Sequence, residues 1–498
     1  MLEINLTPII KKWLLLTIMA ARNTCGLQLL IWYVTYILVL KARADVGTVT
    51  LDYGITKGSG TPMLFGGCKF PMQQQADDMY PKLKEDGITF LRADFYFERI
   101  IPASKCPSVE AYRENLGGIQ DSSKWNYDHL FWIDSAKSNG MKTFVSATYT
   151  PTWLSYSGTY RGVPKDWAVW EDIVRKVYTR YKTRVDWVEP WNEIEYWGDL
   201  TGSPYTNRED FLVDYYYHTV HAIRSAGGTI PTGGFAFAYD EPEMLRDILR
   251  KLVAKYGLSW TDKNFDFYSV HHYGSDPGNV DTSAIRATLQ AAGLNPNRPI
   301  FVDEWNYTAD WEGHANELYG TKAIGYVGKA MTKFIKNDVN AAYFCLYPRQ
   351  MLLTHTIYED GGRTTLSFYT ASNNIGTLLP QAYPFKILSR WLGLGKGDFV
   401  VKDVSDQTVI DACAAVNSDG KKVAFIANYY DHPNQVNITI KGLAADRVAI
   451  TEYWAAAWDP ADAALKTATN AVSNSQTTYY IDMPANTCVG LLMNNAAF

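Results

Sequence analysis

The 498-residue sequence predicts a (β/α)8 barrel joined to a small β-sandwich, and three observations carry that reading. Short apolar runs alternate with helical stretches eight times between Met63 and Leu392. The fourth and seventh runs end in Trp191-Asn192-Glu193 and Asp303-Glu304-Trp305, two glutamates at the ends of buried strands. Past about Gly393 the helical pattern stops, and short β-rich segments split by turn residues take over.

The N-terminal segment stands apart from this fold. Leu27 to Leu40 is an apolar run shorter than the ~20 residues of a membrane span. Lys11, Lys12 and Arg22 precede it, and Lys41-Ala42-Arg43-Ala44 follows in a small-x-small pattern. Residues 1–44 therefore read as a secretory signal with cleavage after Ala44 and a secreted product, an uncleaved membrane anchor being the alternative. Val46 to Ile55 then alternates apolar and polar residues, as an antiparallel strand does.

The barrel pattern begins at Met63. Met63–Cys68 precedes the helical stretch Gln73–Asp86, Ile88–Asp94 precedes Lys124–Asn139, and Lys142–Tyr149 precedes Lys165–Thr183. Val185–Trp191 leads to Arg208–Ala226, Thr229–Phe237 to Glu241–Tyr256, and Phe265–Tyr273 to Thr282–Ala292. Ile300–Glu304 with Gly320–Asp338 and Ala341–Tyr347 with Tyr383–Leu392 complete the eight. Gly87, Gly140, Gly227 and Gly257 stand where C-caps are needed, and Pro164 is placed to open a helix at its first turn. Apolar strands without strict alternation suit a parallel sheet covered on both faces. An open doubly wound sheet is the competitor, and the absence of Gly-x-Gly-x-x-Gly after the first strand speaks against it. The predicted organisation is a strand over 45–60, a barrel over 61–395 and a C-terminal β-sandwich over 396–498 that the N-terminal strand joins.

Composition narrows the function classes. A net charge of −5 gives no general attraction to nucleic acid or anionic membrane, so no nucleic-acid partner is expected, and no membrane partner unless 1–44 is retained. The 16 Trp and 34 Tyr supply rings able to stack on sugar faces once the core is filled. No Cys-x-x-Cys pair occurs, and bridges Cys68–Cys106 and Cys413–Cys488 are the expected pairings in a secreted chain. His271 and His272 are adjacent and face opposite ways, so neither a metal nor a cofactor is expected.

In a (β/α)8 barrel the active site lies at the C-terminal ends of the strands. Glu193 and Glu304 are 111 residues apart, three βα units of about 37, and so share that face. Cleaving a glycosidic bond needs one carboxylic acid for the leaving oxygen and one carboxylate across the anomeric carbon. Asn192 is placed to bond a sugar hydroxyl, and Tyr273 and Arg92 to hold Glu304 ionised, with His271 beside them. Tyr149, Trp153, Trp305 and Tyr347 are candidates for the walls of a sugar site. Since side chains alternate along a strand, Asp303 is expected to point away from the face that Glu304 serves.

With Trp191-Asn192-Glu193, His271-x-Tyr273 and Asp303-Glu304-Trp305, the stretch from about Met63 to Gly393 resembles the clan of retaining (β/α)8 glycoside hydrolases. With a sandwich built from both chain ends it is most similar to family 39, the β-xylosidase and α-L-iduronidase family. The resemblance implies Glu193 as acid/base and Glu304 as nucleophile of a double displacement on a polysaccharide or oligosaccharide. It departs in Ile194-Glu195, where many relatives have Pro-Asn after Asn-Glu. A transglycosylase using the same intermediate and a non-catalytic carbohydrate-binding barrel are the alternatives.

Overall fold

The computed structural model describes residues 45–60, 63–68, 80–115, 123–309, 314–345, 378–394, 399–405, 410–456, 459–460 and 465–495. The predicted signal segment and Tyr347 lie outside them. Among the described residues no helix is long and apolar enough to cross a membrane.

Eight parallel strands form the barrel: β2 (Met63–Cys68), β3 (Phe90–Asp94), β4 (Lys142–Ala147), β5 (Trp187–Pro190), β6 (Gly233–Phe237), β7 (Phe267–Tyr273), β8 (Ile300–Asn306) and β9 (Ala341–Cys345). Their order is β5-β4-β3-β2-β9-β8-β7-β6, and a parallel bridge between Val188 and Thr232 closes β5 onto β6. Helices follow the strands as the periodicity predicts, for example Trp167–Tyr181, Arg208–Ser225, Pro242–Tyr256 and Thr321–Lys336. Gly87, Gly140, Gly227 and Gly257 all have positive φ at helix ends, where a side chain would be strained. Pro164 does not open its helix. It bridges Ser155, and Asp166 is the N-cap, its carboxylate accepting from the Ala168 and Val169 N–H groups.

The second sheet joins both ends of the described chain. β1 (Asp45–Gly60) runs antiparallel to β10 (Phe399–Ser405) and parallel to β13 (Asn434–Lys441). The remaining strands are β11 (Asp411–Val416), β12 (Lys422–Asn428), β14 (Arg447–Ala456), β15 (Asp459–Pro460), β16 (Lys466–Ala471), β17 (Gln476–Met483) and β18 (Thr487–Asn495). The sheet folds over a core that includes Val49, Leu51, Ile438, Ile450, Ile481 and Leu491, giving the sandwich. β16 escapes a sequence reading because it is a Thr/Ala/Asn edge strand with no fully buried residue.

Two expected disulfides are absent, and topology explains both. Cys68, Cys106, Cys413 and Cys488 are buried thiols. Cys413 pairs with Phe425 and Cys488 with Ala427, so β12 runs between them. Two strand spacings of about 4.8 Å exceed the Cα separation a disulfide spans. Cys68 faces the barrel interior, 3.4 Å from the Arg92 guanidinium, while the Cys106 thiol donates to Ser108 O in a loop behind the helix Phe97–Ile100.

The helix Thr321–Lys336 is shared by the two units. One side packs on the barrel, where Trp305 meets Phe334 edge-on at 5.2 Å. The other lies on β12 and β18 through glycines: a Cβ at Gly328 would come 2.2 Å from Cys488 Sγ and 3.1 Å from the Ala427 Cβ. Gly328→Val should therefore lower the unfolding free energy by about 2–3 kcal/mol in urea titration, the usual size of overpacking in a tight core. A change under about 0.5 kcal/mol, typical of a surface site, would contradict this packing.

Candidate active site

The barrel interior is layered. Phe144, Phe267, Phe301 and Tyr343 fill one layer, with Phe267 and Phe301 stacked at 4.6 Å. The next layer, toward the C-terminal ends of the strands, is polar: Arg92 on β3, Glu189 on β5, Ser269 on β7 and Asp303 on β8, all fully buried. Period two along each strand produces this change of chemistry from one layer to the next.

Arg92 is the hub of the polar layer. Its Nε and Nη2 donate to Glu189 Oε1 at 2.8 and 2.5 Å, and Nη2 also donates to Asn192 Oδ1 at 2.9 Å. Nη1 donates to Glu304 Oε1 at 2.7 Å, and Asp303 Oδ2 is 3.0 Å from Nη2. A buried guanidinium with these neighbours keeps its charge and uses its planar fork to fix several acceptors at once.

Glu193 is displayed by a turn, not by the strand itself. β5 ends at Pro190, and the next residues include two in the left-handed region, Trp191 (φ 73°) and Glu193 (φ 46°). Each costs roughly 1 kcal/mol or more for a residue with a Cβ. The surroundings hold them there. Ser146 Oγ donates to Trp191 O at 2.7 Å, Glu193 N donates to Ala236 O at 2.8 Å, and the Trp191 ring is fully buried against Tyr149, Phe211 and Tyr215. The Glu193 carboxylate then emerges between His271, whose Nδ1 is 2.7 Å from Oε1, and Trp197, whose Nε1 donates to Oε2 at 2.7 Å.

Glu304 faces it across the barrel mouth, 5% exposed. Tyr273 OH donates to its Oε2 at 2.8 Å, opposite the Arg92 bond to Oε1. The expected alternation fails here. The β7–β8 register slips between Val270/Val302 and His271/Glu304, so Asp303 is an extra residue in a bulge and points inward with Glu304. Asp303 Oδ2 lies 3.4 Å from His271 Nε2.

The electrostatics follow from this crowding. Burial opposes charge on His271, but Glu304, Asp303 and Glu193 hold its pKa well above the ordinary imidazole value, so it is a cation. Burial likewise works to raise Glu193, and the hydrogen bond and charge of His271 overcome it, leaving that carboxyl below its usual range. Glu195 goes the other way. Burial, only partly offset by the Ala238 N–H bonded to its Oε1 at 3.1 Å, pushes its carboxyl up to about 7.

Arg92, Asn192, Glu193, His271, Tyr273 and Glu304 are thus brought together at one site. The predicted aromatic walls are not all there. Trp305 is fully buried against Phe334 and Phe385, behind β8, because it follows Glu304 and alternates outward. Trp153 donates its Nε1 to Ile101 O at 2.9 Å and stacks on Tyr112, which makes it part of the packing outside β4. Tyr149, 7% exposed, packs edge-on to Trp191 and Tyr96 beside the mouth. Glu189 was not among the expected site residues. Its signal was a glutamate inside an apolar strand two residues after Trp187, on the same inward face.

Glu193, His271 and Glu304 also form a group whose ligand atoms lie within 4.8 Å of one another, close enough for an ion. The His271 Nδ1 that would ligate already faces Glu193 as a proton donor, so these residues favour an ion pair over a metal.

A pH signature follows from Glu195. Between the ordinary carboxylate value of 4.5 and about 7 the folded protein keeps a proton that the unfolded chain has released, so this group makes stability fall as pH rises across that window. Glu195→Gln should gain about 1–3 kcal/mol on the wild type between about pH 4.5 and 8 in urea unfolding. Parallel stability–pH curves would contradict this.

Comparison with known proteins agrees with the geometry. The family model for "Cellulase (glycosyl hydrolase family 5)" matches residues 56–350. No curated protein matches. Among solved structures, a glucosidase from Croceicoccus marinus superposes with a TM-score of 0.65 at 14% identity, over 91% of this chain and 100% of that one. A family 39 enzyme from Xanthomonas axonopodis pv. citri gives 0.60 at 14% identity over 92% and 99%. A family 30 subfamily 8 xylanase from Clostridium acetobutylicum gives 0.61 at 13% identity over 90% and 99%. The shared architecture is a clan-type glycosidase barrel with its sandwich, similar to family 39 among others, while the matching family model covers more than half of the sequence. The chain belongs to the cellulase family, glycosyl hydrolase family 5, and is a glycosidase.

Proposed function

We propose that the protein is a secreted retaining glycoside hydrolase that cleaves O-glycosidic bonds of a polysaccharide or oligosaccharide by double displacement, with Glu193 as acid/base and Glu304 as nucleophile. The observation that carries this is the carboxylate spacing. Oxygens of Glu193 and Glu304 lie within 4.8 Å, near the ~5–5.5 Å of retaining enzymes and short of the ~6.5–9.5 Å that admits a water in inverting ones.

The roles divide by environment. Glu304 accepts from Arg92 and Tyr273, two donors that favour its anion, as a nucleophile needs. Glu193 shares the proton of His271. In the first step a Glu304 oxygen bonds the anomeric carbon as the bond to the leaving oxygen breaks, and the proton held between His271 and Glu193 passes through the Glu193 carboxyl to that oxygen. In the second, water gives a proton to Glu193, its oxygen bonds the anomeric carbon, and the ester to Glu304 breaks. The negative charge of Glu304 raises the proton affinity of Glu193, and esterification removes that charge, which turns Glu193 from acid to base. Asn192 accepts from Arg92 through Oδ1, which leaves its amide N–H groups for a sugar hydroxyl. Glu195, despite its higher proton affinity, is turned toward Ala238 N and is not one of the three residues that converge at the mouth.

The same reading takes 1–44 as a secretory signal cleaved after Ala44, 61–395 as the catalytic unit, and 396–498 with strand 45–60 as the accessory sandwich. The apolar run and basic flank support the first, and the two-sheet topology the others.

Turnover on a panel of aryl glycosides tests the assignment. Glu304→Ala should lose at least about 10³-fold in kcat, and azide should restore turnover as a glycosyl azide of inverted configuration. Glu193→Gln should lose roughly 10²–10⁴-fold on poor leaving groups and much less on good ones. Wild-type rates in Glu304→Ala would overturn the assignment.

A further inference from the structure

Three buried carboxyl groups, Glu189, Asp303 and Glu304, and the half-buried Glu193 surround two cations among the described residues, Arg92 and His271. Full ionisation would leave a net charge of −2 in a low-dielectric layer, at a large solvation cost. Two of the four, Glu193 and Glu304, are the groups that the proposed reaction needs. The excess falls on the others.

Glu189 and Asp303 are both fully buried, on β5 and in the β8 bulge, and their carboxyl groups lie within hydrogen-bonding reach of each other. Glu189 is fully engaged. Oε1 accepts twice from Arg92, and Oε2 accepts from Ser269 Oγ at 2.5 Å. Asp303 is the opposite case, since neither of its oxygens receives a directed hydrogen bond. Its contacts with Arg92 Nη2 at 3.0 Å and His271 Nε2 at 3.4 Å are charge contacts off the donor axes. The other groups facing the pair are Cys68, Tyr343, Asn192 and Glu304, and none of them offers an additional charge of positive sign. A buried acceptor with no donor beside a second carboxyl group is satisfied by one shared proton, as when two carboxylates cannot both ionise at close range.

We infer that Glu189 and Asp303 share a single proton and act as a positioning pair of net charge −1, which holds Arg92 against Glu304 and keeps His271 cationic beside Glu193. The pair touches neither substrate nor reacting atoms; it acts through Arg92 and His271. Burial drives the Glu189 carboxyl well above the usual range against the pull of Arg92, and Arg92 and His271 hold Asp303 below it against burial, so the proton resides mainly on Glu189. With the proton counted, the cluster carries −1 rather than −2.

The inference rests on the proposed roles of Glu193 and Glu304, so its test has a readout that does not. Isotope-edited infrared difference spectroscopy of the full chain at about pH 9, well above the Glu195 value of about 7, should show the carbonyl stretch of a buried protonated carboxylic acid, shifted by carboxyl-13C glutamate and by D2O. Glu189→Gln should abolish that band and lower kcat/KM far less than the double variant does, its pH profile unmoved, because glutamine keeps a neutral acceptor for Arg92. Asp303→Asn should behave alike, Glu189 then carrying the charge. The double variant loses the −1 and should drop at least about 100-fold, with 15N-labelled His271 titrating at lower pH than in either single variant. Absence of the band from the wild type, its persistence in Glu189→Gln, or a Glu189→Gln loss equal to that of the double variant would overturn the pairing. If the band behaves as expected but the aryl glycosides are not turned over, the catalytic assignment fails and the pair stands.

Discussion

The buried guanidinium of Arg92 is the interaction on which the barrel mouth depends. It reaches strands β5 and β8 and the turn after β5, through Glu189, Asp303, Glu304 and Asn192. These residues come from distant parts of the chain, and a single rigid cation sets their mutual geometry. Removing it would leave several buried carboxylates without compensation, a loss of about 3–5 kcal/mol for a single broken buried pair. Such an arrangement costs stability relative to an apolar layer. Its benefit is a Glu304 carboxylate held in place between two donors, Arg92 and Tyr273.

Two local departures from regular strand geometry make the site possible. The left-handed residues Trp191 and Glu193 lift one carboxylate out of the line of β5, and the bulge at Asp303 adds a second inward acid on β8. Both are supported by tight surroundings, the first by a fully buried Trp191 and the second by the polar layer beneath. Backbone strain of this kind persists only where packing over-determines it. Function, local conformation and core packing are therefore coupled at the same few residues.

Much of this was legible in the sequence. Helical and strand periods located all eight strands of the barrel, and the two strand-end glutamates landed at one mouth with Arg92, Asn192, His271 and Tyr273. The misses have physical reasons. Strict alternation placed Asp303 outward, and a bulge, which leaves no mark in the residue pattern, reversed it. Trp305 and Trp153 read as sugar platforms because their residue type suits both roles, whereas strand parity and packing decided against them. The disulfide pairs failed because spacing along the chain carries no information on which strand lies between two cysteines. Glu189 was not singled out, although its inward parity with Trp187 was present in the sequence.

The central claim is a double displacement at Glu193 and Glu304, and its stereochemistry is the most direct measure of it. Proton NMR of the first anomer released, recorded before mutarotation, should show the configuration of the cleaved bond retained, as two successive inversions require. A first product of opposite configuration would mean a single displacement by water and would contradict the account.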